Sequence, residues 1–270
     1  MDCEQYLLKS EPRYYPAGNE LALYEAAYAM RLPVMLKGPT GCGKTRFVEH
    51  MAWRLKKPLI TVSCHEDMTA ADLVGRFLLG GEGTYWQDGP LTTAVRMGAI
   101  CYLDEVVEAR QDTIVIAHSL TDDRRVLSLE KKGELVRAHP DFQLVISYNP
   151  GYQSILKDLK ESTKQRFCAL DFDYPSRELE TQIVRDEGNV PERLATTIVE
   201  IGEKSRNLSG EGLVEGASTR ILVQMARLAG AGLPLDQAAQ FALIIPLTDD
   251  PDMRDALSGV VDACLPAGMK

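Results

Sequence analysis

The sequence has no apolar run that approaches the roughly 18 residues needed to cross a bilayer. Its first residues, MDCEQYLLKSEPRYYP, lack the basic start and apolar stretch of a secretory signal. No CxxC pair occurs among its 6 cysteines, which argues against a zinc site or a disulfide framework. We therefore expect a cytoplasmic protein whose cysteines are reduced and mostly buried.

Basic residues are in deficit, with 30 Lys and Arg against 39 Asp and Glu and a formal net charge of −9. This balance argues against a general nucleic-acid binder, which usually has a basic face, although a local basic pore remains compatible with it. Fixed-period repeats and low-complexity tracts are also absent. A chain of 270 residues with 45% hydrophobic content suffices for one large domain or two modest ones.

Short apolar or β-branched runs alternate with helix-like segments in the first two thirds of the chain. A helix is predicted at 19–31, capped by Asn19, and another at 45–55. The predicted strands are 34–36, 59–63, 99–105, 142–149 and 168–174. Such alternation favours a parallel sheet with helices on both faces.

Strand signals end at Pro175, and the segments that follow have the periodicity of helices. We therefore predict an α/β domain over 1–175 and a small helical domain over 176–270. Two alternating runs around EKKG predict a β-hairpin insertion at 124–138. In the segment 83–90, GTYWQDGP, Tyr85 and Trp86 could be an exposed aromatic contact or could anchor a loop, and the sequence leaves both open.

The segment GPTGCGKT at 38–45 matches the phosphate-loop pattern GxxxxGK[ST], and it lies between a predicted strand and a predicted helix. Glycines allow backbone N–H groups to turn toward phosphate oxygens, and the helix N-terminus adds partial positive charge. Lys44 can reach the β- and γ-phosphates, and the Thr45 hydroxyl can ligate Mg²⁺. The predicted nucleotide-binding residues of this loop are Gly38, Pro39, Thr40, Gly41, Cys42, Gly43, Lys44 and Thr45.

Acidic and amide side chains follow two of the predicted strands. Asp104 ends an apolar strand, where it could hold Mg²⁺ through water, and Glu105 could polarise the attacking water. Asn149 ends the fourth strand, close to where open α/β sheets place their ligands. A side-chain amide at this position can hold the lytic water against the γ-phosphate.

Two arginines stand at positions suited to a cation aimed at the γ-phosphate. Arg166 lies between a helix and the fifth strand, and Arg220 begins a helix of the second domain. We predict that one acts from a neighbouring subunit and the other from the helical domain. An arginine supplied to such a site can raise hydrolysis by ~10³–10⁵-fold.

The order and spacing of these motifs resemble the AAA+ ATPases. The stretches ICYLDEVVEARQD, STKQRF, DFDYP and EGASTR are similar to the CbbQ/NirQ/NorQ branch of the MoxR group, and to CbbQ above all. The resemblance implies an AAA+ fold, with a five-stranded sheet sandwiched by helices, a helical lid, and β-hairpin insertions in the helix-2 region and before the sensor-1 strand. It assigns sensor 1 to Asn149, the arginine finger to Arg166 and sensor 2 to Arg220.

The resemblance also implies ATP and Mg²⁺ as cofactors and a homo-hexameric ring with ATP at the subunit interfaces. It implies a partner with a von Willebrand factor A-type domain, similar to CbbO. For CbbQ the client is rubisco blocked by inhibitory sugar phosphates, and for NorQ and NirQ it is nitric oxide reductase. The sequence does not decide between these two clients.

Two other classes compete with this interpretation. A P-loop small-molecule kinase shares the phosphate loop, the α/β fold and a helical lid, but the Asp104-Glu105 pair and the two arginines favour hydrolysis. A DNA-remodelling AAA+ protein predicts a basic stripe or an added DNA-binding domain, and the acidic composition argues against it. The sequence has no NKxD-type motif for guanine recognition, which argues against a GTPase.

Overall fold

The computed structural model describes residues 3–81, 83–150, 159–210 and 212–265. The chain divides into two compact units, the first Met1–Gly38 with Lys44–Phe172 and the second Pro39–Gly43 with Asp173–Lys270. Most of the glycine loop therefore groups with the second unit. Within the described ranges no helix has the length and apolarity that a membrane span requires. Whether the chain forms independent domains on either side of residue 175 stays a prediction.

Among its described residues, the first unit contains nine strands and six helices of α type. In chain order these are α1 Glu20–Ala29, β1 Val34–Lys37, α2 Lys44–Leu55, β2 Leu59–Ser63, α3 Ala70–Val74, β3 Gly75–Gly80, β4 Gly83–Asp88, α4 Pro90–Met97, β5 Ile100–Asp104, α5 Gln111–Val115, β6 Val126–Leu129, β7 Glu134–Arg137, β8 Gln143–Tyr148, α6 Glu161–Lys164 and β9 Cys168–Asp171.

The central sheet has five parallel strands in the order β2-β5-β8-β1-β9. All five strands predicted from the sequence form it, so the predicted parallel α/β class is confirmed. The inner strand β8 is buried along its whole length, as expected for a strand covered on both faces. Parallel strands end at one edge of the sheet, and β1 delivers the glycine loop to that edge.

Helix α1 begins differently from the prediction. Asn19 occupies the position before the helix, but its side chain makes no capping hydrogen bond, so the predicted cap is wrong. Instead the Glu20 carboxylate accepts the backbone N–H groups of Ala17 at 2.9 Å and Gly18 at 2.8 Å. It also accepts the Tyr14 hydroxyl at 2.8 Å. A longer acidic side chain in the first turn can reach back to these donors.

Two antiparallel hairpins project from the α/β core. β6 and β7 pair within 124–138, which confirms the hairpin predicted there. β3 and β4 form the other hairpin, in which Phe77 lies opposite Trp86. The half-buried Trp86 donates its indole N–H to Asp88 at 2.7 Å, whereas Tyr85 is exposed. Trp86 also packs against the buried core of the first unit and so anchors the hairpin, whereas Tyr85 faces solvent.

Ion pairs connect both hairpins to α4. Arg96 of α4 contacts Asp88 of β4 at 3.0 Å and Glu134 of β7 at 2.7 Å. Glu134 also pairs with Lys132 at 2.7 Å, and the Lys132 ammonium lies 6.0 Å from the centre of the Trp86 ring. These contacts join the two hairpins through one helix.

The second unit is helical, as predicted after Pro175. Its helices are α7 Arg177–Gly188, α8 Glu192–Arg206, α9 Thr219–Gly230, α10 Leu235–Ala239, α11 Ile245–Leu247 and α12 Pro251–Cys264. Ser176 and Ser218 cap α7 and α9 through their hydroxyl oxygens, which accept N–H groups three residues later. Apolar faces of these helices form a separate core.

The cysteines are less buried than predicted. Cys42, Cys64 and Cys101 are buried, Cys264 is half-buried, and Cys3 and Cys168 are exposed. The expectation that most are buried is therefore wrong. Cys168 is exposed because it begins β9, an edge strand with one neighbour in the sheet.

Candidate functional site

The start of the glycine loop requires a residue without a side chain. Gly38 has φ +149°, and a Cβ there would lie 2.2 Å from the carbonyl oxygen of Phe172. The Lys44 ammonium donates to the Gly38 carbonyl oxygen at 2.8 Å, and only 9% of this lysine is exposed. A buried ammonium requires hydrogen-bond acceptors, and phosphate oxygens are suited to this role.

Three hydroxyl groups converge on the carboxylate of Asp104 at the end of β5. Thr45 Oγ1 donates to Oδ2 at 3.1 Å, while Tyr102 Oη and Ser147 Oγ donate to Oδ1 at 2.6 Å and 2.5 Å. These bonds fix the carboxylate beside the first turn of α2. Thr45 and Asp104 supply adjacent oxygen atoms, the donor type that Mg²⁺ prefers, so these two residues fit the predicted ion.

Glu105 follows β5 in an unusual backbone conformation. Its φ of 53° and ψ of 48° lie in the left-handed region, which costs a non-glycine residue about 1–2 kcal/mol. Its N–H donates to Ser147 Oγ at 3.0 Å. Ser147 thus contacts both members of the acidic pair and holds Glu105 in this turn.

The end of β8 lies beside the start of the glycine loop. The carbonyl oxygen of Tyr148 accepts the N–H of Gly38 at 3.3 Å, and the half-buried Asn149 is the next residue. The structure therefore brings Asn149 to the strand-end edge that also carries Asp104 and Glu105.

Arg166 lies between α6 and β9, as the sequence predicts. Its Nη1 is 3.9 Å from Oδ2 of Asp122, a carboxylate that Arg124 also binds, with a shortest contact of 2.6 Å. Its Nε is buried and has no hydrogen-bond partner among the described residues. Burial, with smaller effects of Arg166 and Lys160, lowers the pKa of His118. In the described part of the first unit the ion pair of Arg166 is with Asp122, and no hydrogen bond or ion pair joins it to the acidic pair.

In the second unit, the segment 215–220 packs on the residues 39–43. The Thr40 N–H donates to Oε1 of Glu215 at 3.0 Å. A Cβ at Gly41 would lie 2.6 Å from Cβ of Ser218 and 3.4 Å from Cβ of Arg220, whose side chain is exposed. The structure therefore brings Arg220 to the glycine loop at the start of α9.

A buried ion pair supports this segment. Glu180 is fully buried and accepts Nη1 and Nη2 of Arg206 at 2.8 and 2.6 Å and the Thr219 hydroxyl at 2.6 Å. Arg206 Nε donates to the carbonyl oxygen of Ala217 at 2.8 Å. The guanidinium also lies 3.9 Å from the centre of the Tyr174 ring. These contacts fix the backbone immediately before Arg220.

Sequence reasoning missed three polar residues of the candidate site, namely Tyr102, Ser147 and Glu215. Tyr102 precedes Asp104 by two positions, so it shares a strand face with it. Ser147 likewise precedes Asn149 by two positions. This period of two could have found both hydroxyls, whereas no local pattern indicates the contact of Glu215 with a loop 175 positions away.

Two family models match the chain. The AAA domain (dynein-related subfamily) matches residues 33–167, and the CbbQ/NirQ/NorQ C-terminal domain matches residues 180–264. The first match contains Lys44, Thr45 and the acidic pair, and the second contains the predicted sensor-2 arginine.

Curated relatives match nearly the whole chain. Protein CbbQ of Hydrogenophilus thermoluteolus is 66% identical over 94% of this chain and 95% of the relative. Protein NorQ of Paracoccus denitrificans is 55% identical over 93% of each. The denitrification regulatory protein NirQ of Stutzerimonas stutzeri is 56% identical over 93% of this chain and 91% of the relative.

Solved structures share the fold at low sequence identity. The P216G mutant of Thermotoga maritima RuvB is 17% identical, with a TM-score of 0.58 over 95% of this chain and 74% of that one. The RuvB Holliday junction branch migration motor of the same organism is 16% identical, with a TM-score of 0.53 over 90% of this chain and 67% of that one. The predicted AAA+ P-loop fold is confirmed. Family-model matches in both parts of the chain and identities of 55–66% lead to one conclusion: the chain belongs to the CbbQ/NirQ/NorQ family of MoxR AAA+ ATPases.

Proposed function

We propose that this chain is the ATP-hydrolysing motor of a two-component rubisco activase. Membership in an AAA+ ATPase family implies ATP hydrolysis. The observation that carries the choice of client is the 66% identity to CbbQ, against 55% to NorQ and 56% to NirQ. In this proposal hydrolysis drives the release of inhibitory sugar phosphates from rubisco, with a CbbO-like von Willebrand factor A-domain protein as partner.

The glycine loop is the proposed phosphate site. The Lys44 ammonium, now on the Gly38 carbonyl at 2.8 Å, would turn to the β- and γ-phosphates. Thr45 and Asp104 would hold Mg²⁺, which neutralises charge on the phosphates when it is bound. The hydrogen bonds of Tyr102 and Ser147 orient the Asp104 carboxylate for this task.

Hydrolysis requires a positioned water and cations at the γ-phosphate more than covalent chemistry. We assign water activation to Glu105, which the Ser147 hydroxyl holds in its left-handed turn. Asn149 would orient the same water. Arg220 would contact the γ-phosphate from the nucleotide-holding protomer, and Arg166 would reach the site of a neighbouring protomer in a ring, proposed to be a hexamer.

The two hairpins are the proposed route by which motion reaches the partner. Both are attached to α4 through Arg96, so a shift of that helix moves them together. The β3–β4 hairpin has exposed apolar side chains on both faces, Phe77 and Leu79 on one and Tyr85 on the other, and these suit contact with another protein.

Reconstitution tests this proposal. Rubisco inhibited by a tight-binding sugar phosphate is mixed with this chain, its CbbO-like partner, ATP and Mg²⁺, and carboxylation is followed. We expect activity to recover with ATP and not with a Lys44→Ala variant. No recovery in the presence of measurable ATPase activity would eliminate rubisco as the client.

Activation of nitric oxide reductase is the second candidate, supported by the 55–56% identities to NorQ and NirQ. The same proteins assayed with inactive nitric oxide reductase distinguish the two clients. The similarity to RuvB, at 16–17% identity, concerns the fold alone and gives no support to a DNA substrate.

A further inference from the structure

We propose that the Glu215 carboxylate competes with nucleotide phosphate for the glycine loop and thereby weakens nucleotide binding and speeds ADP release. This inference rests on the proposed function, because it requires the loop to be a phosphate site.

The carboxylate of Glu215 is bonded to a loop whose sequence is typical of phosphate binding. Oε1 of Glu215 accepts the backbone N–H of Thr40 at 3.0 Å. The backbone N–H groups of such a loop are the donors that hold phosphate oxygens. A backbone N–H has a single hydrogen, so it serves either the carboxylate or a phosphate oxygen well, but not both.

Charge adds to this competition. A nucleotide brings negative oxygens to the loop, and a carboxylate bonded to the same loop repels them. A nucleotide therefore binds with full strength only when Glu215 leaves Thr40. After phosphate departs, the carboxylate can return to the N–H group and oppose rebinding.

The fold allows Glu215 to move away from the loop without displacing Arg220. Glu215 lies five positions before Arg220, and Ser218, between them, packs against Gly41. Beyond Gly216 the backbone is fixed by the Arg206 bond to Ala217. Glu215 can therefore turn away from Thr40 while α9 and Arg220 keep their place at the loop.

The test measures nucleotide affinity in full-length protein with Mg²⁺. Glu215→Gln keeps the shape and removes the charge, and Glu215→Ala removes the acceptor as well. The matched control is Asp262→Asn, which removes one negative charge from an exposed position on α12 of the same unit. Thermal unfolding without nucleotide identifies which variants are folded, and any folded Glu215 variant suffices.

We expect Kd for fluorescent ADP to fall about tenfold in the Glu215 variants, the effect of losing one charged hydrogen bond that opposes binding. The dissociation rate of ADP should fall in parallel. The gain should be larger for a non-hydrolysable ATP analogue, since it carries more charge, and a merely structural role would not produce this difference. The Asp262→Asn control should bind like wild type.

Unchanged or weaker binding in folded Glu215 variants would overturn the inference while leaving the proposed function intact. Wild type that binds neither ADP nor the ATP analogue would instead remove the proposed function. A control that tightens as much as the Glu215 variants would mean that net charge alone is responsible, which also overturns the assignment.

Discussion

The Ser147 hydroxyl donates to Oδ1 of Asp104 at 2.5 Å, and Ser147 Oγ accepts the backbone N–H of Glu105 at 3.0 Å. One fully buried side chain thus orients the proposed Mg²⁺ ligand and holds the proposed water-activating residue in its left-handed turn. Because β5 and β8 are neighbours in register, this contact follows directly from the sheet. It makes Ser147 a positioning residue of the candidate site.

Replacing Ser147 with alanine tests this role. The change removes a donor from Asp104 and leaves the Glu105 N–H without its acceptor, so we expect kcat for ATP hydrolysis to fall about 10-fold or more. KM should change little, since Lys44 and the glycine loop are untouched. Steady-state ATPase assays provide both parameters. Ser128→Ala, at an exposed position of β6, is the matched control and should behave like wild type.

A mixing experiment tests whether Arg166 acts on a neighbouring protomer. Arg166→Ala and Glu105→Gln proteins should each hydrolyse ATP at least 100-fold more slowly than wild type. Mixed rings contain sites that combine an intact Glu105 with an intact Arg166 from the adjacent protomer. We therefore expect mixing to restore measurable ATPase activity.

The control mixture pairs Glu105→Gln with Arg220→Ala. If Arg220 serves the site of its own protomer, every site in this mixture lacks one group and activity should stay low. Equal restoration in both mixtures, or none with Arg166→Ala, would contradict the assignment of one arginine to each role.

Much of the fold could be predicted from the sequence because the strands are short apolar runs bounded by Gly, Pro and polar residues. The segment AICYLDE predicts β5 to within one residue at each end, and the helical periodicity after Pro175 agrees with the helices found there, such as α8. The ends of the helix at 251–264 are harder to predict, since among its apolar residues only Leu257 and Val261 are buried. Packing against α8 stabilises this helix.

Some residues of the candidate site could likewise be predicted from the sequence, and others could not. Lys44, Thr45 and Asp104 lie in motifs whose residue types and spacing predict binding of a nucleotide and Mg²⁺. In the structure the Thr45 hydroxyl donates to Asp104 at 3.1 Å. Glu180 belongs to no motif, and although Glu215 begins the stretch EGASTR, nothing in that stretch predicts which residue it contacts. Their partners, Arg206 and Thr40, lie far away in the sequence, so only the packed structure brings them together.

The buried pair of Glu180 and Arg206 predicts a large effect on stability. Arg206→Ala would leave the fully buried Glu180 carboxylate without its cation, which costs about 3–5 kcal/mol of unfolding free energy. Urea unfolding of the full chain, followed by circular dichroism, measures this cost. Arg227→Ala is the control, because its exposed pair with Glu187 at 3.5 Å should contribute about 0–1 kcal/mol. A loss below 1 kcal/mol for Arg206→Ala would contradict the burial argument.

Cysteine reactivity tests how closely the core is packed around the acidic pair. Burial, followed by the nearby carboxylates of Asp104 and Glu105, raises the pKa of Cys64 to about 12. Burial likewise raises the pKa of Cys101 to about 12. The thiolate is the reactive form, so at pH 8 only about one in ten thousand of these thiols is ionised.

Native protein treated with iodoacetamide at pH 8 should therefore be alkylated at the exposed Cys3 and Cys168 and remain unmodified at Cys64 and Cys101. Peptide mass spectrometry reads the modified fraction at each position. Because a raised pKa delays ionisation, increasing the pH from 7 to 9 should leave Cys64 unmodified as long as the protein stays folded. Urea-unfolded protein is the control, and all four positions should then react. Rapid native alkylation of Cys64 would mean that β2 and β5 open near the acidic pair, which would contradict the rigid placement of Asp104 and Glu105.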